Sequence, residues 1–386
     1  MDSELDNHSI ADTTTARSAY IHVPFCRHRC GYCNFTLIAG RSDLHAEYIE
    51  ALGQELSLLQ TPRPVDTLFI GGGTPTELSH EHLQRLLQLV GHWFPLTAGG
   101  ELSLEANPED IDAHLVDLLS AEGVNRVSLG GQSFDRSKLQ WLERNHNEIC
   151  LHNSFELLSK KIATVSMDLI FGTPGETVSM WEKDVEQLMD LKPKHISTYG
   201  LTIEKGTVFF GRLQRDEFEL PSEDVQREMY LLARHKLQSQ GYEHYEVSNF
   251  ALPGFHCRHN ETYWLGAPYY AAGPGAARYI DGRREVNHRS TITYLKKIAA
   301  GESVVAESEQ VQGSERAREV LVFALRRLSG ITPAWFKSTT GFDMMALGGT
   351  QLDRFVQLGL LAWHDDCLRL TEEGLLVSDS IWPELL

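Results

Sequence analysis

The sequence predicts an α/β protein: an incomplete (β/α)6 barrel followed by a smaller, winged-helix-like α+β domain at the C terminus. Three observations predict it. Short, nearly continuous apolar segments alternate with amphipathic helical ones, the pattern of a parallel sheet covered by helices. The alternation occurs six times, short of the eight units of a closed βα-barrel. Beyond about residue 300 the pattern changes to helices around a single hairpin.

Strands are expected at 19–23, 65–70 (VDTLFI), 101–105 (ELSLE), 124–129 (VNRVSL), 165–171 (VSMDLIF) and 195–202 (HISTYGLT). Helices are expected at 44–59, 79–93, 111–121, 135–143, 178–190 and 222–240. The last opens at Ser222, with Glu223 and Asp224 in its first turn, and stops before Gly241, sound boundaries at both ends. From Tyr242 to about residue 300 the chain reads as irregular and rich in Gly, Pro and aromatics. Ala317, Val320, Leu321, Ala324, Leu325 and Leu328 then share one face of a helix over 314–328. Short helices at 333–339 and 349–359, a hairpin around Trp363–Leu370 and a final helix follow. The expected organisation is a disordered leader (1–17), a barrel core (18–250), an irregular segment (251–305) and the C-terminal domain (306–386).

A formal charge of −18 without a dense Lys/Arg run argues against a nucleic-acid partner. No apolar run reaches the ~18 residues of a membrane span, and the polar, acidic leader has neither the basic start nor the apolar stretch of a signal peptide. Six cysteines, three of them in one cluster, do not form a disulfide framework. A reducing cytoplasm is the expected location.

The clustered cysteines are Cys26, Cys30 and Cys33, spaced Cys-x3-Cys-x2-Cys directly after the apolar segment Ala19–Val23. Three thiolates on one short loop can hold three irons of a cubane cluster and leave the fourth open, and an open metal position is what chemistry requires. The alternatives are a structural zinc site completed by His22, His28 or a distant histidine, or simply buried thiols. Gly71-Gly72-Gly73-Thr74-Pro75 follows the second strand. Backbone without side chains admits close approach of a ligand, although a lone Gly run is more often an ordinary turn.

YIHVPFCRHRCGYCNF together with that Gly run resembles the radical S-adenosylmethionine (SAM) superfamily. More narrowly it resembles the branch holding oxygen-independent coproporphyrinogen III oxidase and the haem chaperone HemW, from about Tyr20 to the C terminus. The resemblance implies a [4Fe–4S] cluster on Cys26, Cys30 and Cys33, its open iron chelated by SAM, and reductive cleavage of SAM to a 5′-deoxyadenosyl radical. It also implies SAM contacts at Gly72, Gly73, Thr74, Glu105, Gln132, Arg144 and Asp168, with Tyr20 and Tyr32 flanking the cofactor. A bidentate Arg suits a carboxylate and acidic groups suit ribose hydroxyls. Each residue alone would read equally as a strand-end cap or a solvated ion pair.

Three features separate the two branch members. The oxidases carry a fourth cysteine two positions after the third; Phe35 stands there, an aromatic as in chaperone-type members. The oxidases also have a long N-terminal extension, whereas 19 residues precede Tyr20. Finally, His259–Trp264 matches the chaperone motif His-Asn-x-x-Tyr-Trp, which implies His259 as a haem ligand; the plain alternative is a core histidine. Cys257 is a further thiolate ligand or, since Cys-Arg-His-Asn is not a c-type attachment pattern, a spare buried thiol. Ala277 occupies the place of a histidine that relatives carry.

The implied function is thus a haem chaperone that binds the cluster, SAM and haem and passes haem to acceptor proteins, served by a low-potential, flavodoxin-like electron donor. The alternative is oxidative decarboxylation of coproporphyrinogen III in porphyrin biosynthesis. A DNA-binding reading of the C-terminal module fares badly, because 349–359 carries one Arg and one Asp.

Overall fold

The computed structural model describes residues 15–386, so the expected leader lies outside the described residues except for its last three positions. Six strands run parallel and adjacent in chain order: β1 (Ser18–Val23), β2 (Val65–Gly72), β3 (Leu96–Ala106), β4 (Arg126–Gln132), β5 (Thr164–Phe171) and β6 (His195–Gly200). Between them lie α1 (His45–Ser57), α2 (His80–Trp93), α3 (Ala113–Ala121), α4 (Arg136–Trp141), α5 (Glu148–Ser159) and α6 (Val178–Leu191). After β6 come α7 (Val208–Leu213) and α8 (Glu223–Ser239). Ser79, Asp112, Asp135, Asn147, Thr177, Thr207 and Ser222 each accept a backbone N–H three residues on, which fixes where these helices begin.

Helices α5 and α7 were not expected. In α5, Leu151, Ser154, Phe155 and Leu158 are buried at helical spacing, but His152, Asn153 and Ser154 dilute the apolar contrast that marks such a face. Strand β4 extends to Gln132 instead of stopping at 129, because Gly130 and Gly131 stay extended and Gln132 pairs with Leu169 past a bulge.

The segment expected to be irregular is largely ordered. β7 (Glu243–Glu246) and β8 (Asn249–Ala251) add antiparallel strands beyond β6, α9 (Arg258–Trp264) follows, and β9 (Tyr270–Ala272) pairs parallel with β1. The main sheet therefore reads β9-β1-β2-β3-β4-β5-β6-β8-β7. A second, antiparallel sheet comprises β10 (Ala277–Ile280), β11 (Arg283–Asn287) and β12 (Val305–Gln310), with α10 (Thr291–Ala299) packed on α1. Strands of three to six residues between glycines have little periodicity of their own; partners distant in sequence define them.

Two apolar cores result. One gathers β1–β6 and their helices and extends through Phe250, Ala272, Tyr294 and Val304. The other is formed by α11 (Gly313–Leu325), α12 (Pro333–Thr340), α13 (Met344–Gln357), the hairpin β13 (Leu361–His364)–β14 (Cys367–Leu370), α14 (Glu372–Leu376) and α15 (Ser378–Leu385). Helix α13 starts before 349 because the Asp343 carboxylate accepts the N–H groups of Met345 and Ala346, with Gly348 and Gly349 inside the helix. Among the described residues no helix is long and apolar enough to cross a membrane.

Candidate functional site

The C-terminal ends of the parallel strands enclose a cavity of about 430 Å³, where α/β sheets collect their ligand sites. Immediately after β1 the chain forms the cysteine loop. Phe25–Cys26 pairs with Ile38–Ala39 and closes the loop at its neck. Inside it, Arg29 Nη1 donates to the carbonyls of Cys33 and Phe35 (both 3.2 Å) and Nη2 to that of Leu37 (2.7 Å). The Gly31 N–H donates to Glu143 Oε2 at 2.7 Å, and a Cβ at Gly31 would come within 2.1 Å of the Phe209 ring, so only glycine fits. Cys26, Cys30 and Cys33 are part-buried free thiols, and all three line the cavity.

Facing them is the turn after β2. Gly72 has φ 106°, and a Cβ there would meet the His22 ring at 2.3 Å; one on Gly73 would meet the Phe25 carbonyl oxygen at 2.5 Å. The Gly72 N–H donates to Glu105 Oε2 at 2.8 Å. Thr74 Oγ1 lies 3.3 Å from Cys26 Sγ and accepts from Asn107 Nδ2 at 3.1 Å. Arg144 Nη2 donates to Asn107 Oδ1 (2.5 Å) and to the Gly130 carbonyl (3.1 Å), while Nη1 is 4.0 Å from Cys30 Sγ. Its Nε is buried without a partner. Asp168 accepts from Ser128 (2.7 Å) and Ser166 (3.3 Å). Gln132 closes β4 in the left-handed region, at φ 62°.

Burial is the main force on the acids here. It pushes the Glu105 carboxyl up to about 7 from 4.5, against the Gly72 N–H and with help from the nearby Asp168 charge. Asp168 is also raised by burial, opposed by its serine donors. Folding therefore takes up a proton at Glu105 between pH about 4.5 and about 7, and its contribution to stability falls as pH rises through that window. Glu105→Gln lacks this dependence. Urea denaturation below pH ~4.5 and above pH ~7 is expected to show the variant gaining on wild type at the higher pH; a constant difference would contradict it.

The donor set fits an iron–sulfur cluster with a charged small-molecule ligand beside it. Three thiols converge on one cavity, and burial pushes the Cys26 thiol up to about 12. The side-chain-free Gly72–Gly73 turn and Arg144, whose Nε is buried without a partner, line the same cavity. The zinc alternative fares worse. His22 is already bonded through both ring nitrogens, to Tyr20 Oη (3.0 Å) and the Thr36 carbonyl (2.6 Å). Among the described residues, no His, Cys, Asp and Glu side chains gather as a single-ion site.

Comparison with known proteins shows the family. The family model for the radical SAM superfamily matches residues 20–188, and that for the HemN C-terminal domain matches 311–377. The "Heme chaperone HemW" of Lactococcus lactis is 35% identical over 370 residues, 96% of this chain and 97% of that protein. The "Heme chaperone HemW" of Bacillus subtilis is 34% identical over 96% of this chain and 99% of its own length. The chain belongs to the HemW family of radical SAM proteins. In three dimensions it is similar to Escherichia coli coproporphyrinogen III oxidase (HemN), with a TM-score of 0.85 over 97% of this chain and 91% of that one at 22% identity, a likeness of fold.

Within this HemW-family fold, every residue expected at the site lines the cavity except Tyr20 and His259. Tyr20 is a layer below, on β1, its hydroxyl on His22 and its ring stacked on Phe69. The HemW-type motif forms α9, whose first turn is fastened by Glu101: its carboxylate accepts the N–H groups of Arg258 (3.3 Å) and His259 (3.1 Å) and pairs with Arg126 (2.9 Å). His259 is 1% exposed. Its Nδ1 meets Thr67 Oγ1 and its Nε2 meets Tyr263 Oη, each at 2.9 Å, and its ring stacks on Phe69. Burial holds its pKa down at about 3. His259 thus sits in the core with both ring nitrogens hydrogen-bonded, and Cys257 is the buried thiol beside it.

Sequence reasoning missed Asn107, Ser128 and Tyr199, all on the cavity wall. The signal was available for Asn107, which shares the Glu-Ala-Asn-Pro segment with Glu105, and for Tyr199, which closes the sixth strand.

Proposed function

We propose that this protein is a haem chaperone that holds a [4Fe–4S] cluster and SAM in the cavity and passes haem to acceptor proteins. The observation that carries the reading is the meeting of Cys26, Cys30 and Cys33 with Gly72, Thr74, Glu105, Gln132, Arg144 and Asp168 around one cavity, with Phe35 at the place of the oxidases' fourth cysteine. Cluster and SAM, when bound, supply one-electron reduction and an adenosyl group. The chain's own residues do the holding. Three sulfurs carry three irons, and Gly72–Gly73 leave room for the methionyl ammonium. The Arg144 guanidinium faces the methionyl carboxylate, while Glu105 and Asp168 accept from hydroxyl and ammonium groups. Tyr32 is the aromatic wall on the loop side. Free thiols at all six cysteines suit a reducing compartment and a low-potential electron donor.

The test is anaerobic. Reconstituted protein is expected to contain iron and sulfide in equal amounts, to bind haem, and to restore activity to a haem-free acceptor enzyme. Stoichiometric zinc without sulfide would overturn the cluster, and steady protoporphyrinogen formation from coproporphyrinogen III would replace the chaperone reading with the oxidase one.

A further inference from the structure

Behind Asp168 a file of buried polar side chains leads away from the cavity through the interior of the barrel. The register of β5 and β6 sets it up: Ser166 pairs with His195, and Ser166 and Asp168, two apart on β5, point to the same side of the sheet. Ser166 Oγ lies 3.3 Å from Asp168 Oδ1 and 2.8 Å from His195 Nδ1. His195 Nε2 in turn lies 2.7 Å from the Oη of Tyr245 on β7, and that oxygen accepts the Cys257 N–H at 3.3 Å. The His256 ring stacks on the Tyr245 ring, with centroids 4.2 Å apart, and fixes its plane. Asp168 lines the cavity, whereas Ser166, His195 and Tyr245 do not. All three are buried, and polar groups at such depth cost desolvation that only a complete set of hydrogen bonds offsets.

The set is complete in one arrangement of protons. Burial holds His195 well below the usual imidazole range, so its ring is neutral, with one nitrogen donating and the other accepting. The Asp168 carboxylate only accepts, so Ser166 gives it its single hydroxyl proton and must itself accept from His195 Nδ1–H. Nε2 then accepts the Tyr245 hydroxyl proton, for which no other acceptor lies within reach among the described residues. Were the ring proton on Nε2, Asp168 would lose the Ser166 donor and the Tyr245 proton would be buried without a partner. Every bond in the file therefore points toward Asp168, and bonds aligned head to tail polarise one another.

We infer that His195, with its proton on Nδ1, and Tyr245 are positioning residues for Asp168: through Ser166 they hold its carboxylate oriented to accept a hydroxyl of the nucleoside ligand. The inference rests on the reading that SAM occupies the cavity, and it names what holds one of the acids that receive it. Neither residue touches the ligand; both act through Asp168.

Two measurements on anaerobically reconstituted protein test it, with iron and sulfide assayed in every variant so that a lost cluster is not mistaken for a lost contact. Nitrogen NMR of ring-labelled histidines, with the His195 signals assigned by their absence in His195→Asn, is expected to show the Nδ1–H tautomer in wild type. In equilibrium dialysis, His195→Leu is expected to bind SAM at least about tenfold more weakly than wild type, and Tyr245→Phe several-fold more weakly. His195→Asn, whose amide nitrogen stands in for Nδ1–H, is expected to stay within about threefold of wild type. In an Asp168→Ala background the His195→Leu loss is expected to shrink below about twofold, because the file has no carboxylate left to hold. A merely structural role would give the same loss with or without Asp168. Should His195→Leu fail to fold, Tyr245→Phe, which removes one buried hydroxyl, takes its place in the cycle with Asp168→Ala. The Nε2–H tautomer in wild type would overturn the inference. So would wild-type affinity in the His195→Leu and Tyr245→Phe variants, an asparagine variant no better than leucine, or an undiminished loss beside Asp168→Ala. A wild type that binds no SAM would instead overturn the cofactor reading itself.

Discussion

Cys30→Ser is expected to abolish the cluster: inorganic sulfide falls to background and iron with it, while the barrel still folds. The reasoning is local. In the proposed cluster each cysteine serves its own iron, and a serine oxygen is a harder and poorer donor for iron in a sulfide lattice. Two sulfurs do not hold a cubane whose fourth corner must stay open. Folding is spared because the loop has supports of its own: the Phe25–Cys26 and Ile38–Ala39 pair, Arg29 on three carbonyls, and Gly31 on Glu143. Cys26→Ser and Cys33→Ser should behave alike. In contrast, Cys257→Ser, behind the barrel against Glu101, should retain the full complement of sulfide. Sulfide retained in Cys30→Ser would remove that residue from the ligand set.

The second large effect is expected far from the sulfurs. Lys138 on α4 is 1% exposed and pairs with Glu176 (2.5 Å) and Asp184 (2.9 Å), themselves 0% and 3% exposed. Its Nζ also lies 4.9 Å from the centre of the Trp181 ring. Further donors complete the cluster: Thr173 N–H and Oγ1 on Glu176, Ser133 Oγ and Phe134 N–H on Asp184. Removing one partner of such a buried set strands the others and costs about 3–5 kcal/mol. Lys138→Ala is therefore expected to lower stability by that amount in urea denaturation. Helix α4 lies between Gln132 and Arg144, so SAM affinity should fall as well. Glu176→Gln added to Lys138→Ala removes one stranded charge and should recover part of the loss. A Lys138→Ala protein within about 1 kcal/mol of wild type would show that the triad is a passenger.

Both predictions depend on features of unequal visibility in the sequence. The cysteine loop and the Gly71–Gly73 turn are legible because their residues are neighbours along the chain and their spacing carries the chemistry. Glu105, Gln132, Arg144 and Asp168 are legible only as strand-end residues. Their meeting follows from the parallel sheet, which brings all strand ends to one side. The Lys138 triad was invisible, since Lys138, Glu176 and Asp184 read as ordinary surface charges until α4 and α6 are packed together. Likewise β9 has three residues and no periodicity; its partner β1 lies some 250 positions earlier, at Ala19 against Tyr270.

His259 marks the boundary most clearly. Its motif is legible in neighbouring residues, whereas only packing places the ring between Thr67, Phe69 and Tyr263. By itself the sequence determined the βα alternation, the cysteine loop and the glycine turn, because short-range periodicity and spacing are properties of neighbouring residues. Only the tertiary structure decided which side chains face the cavity and which the core, because burial and hydrogen-bond partners come from segments far apart in the chain.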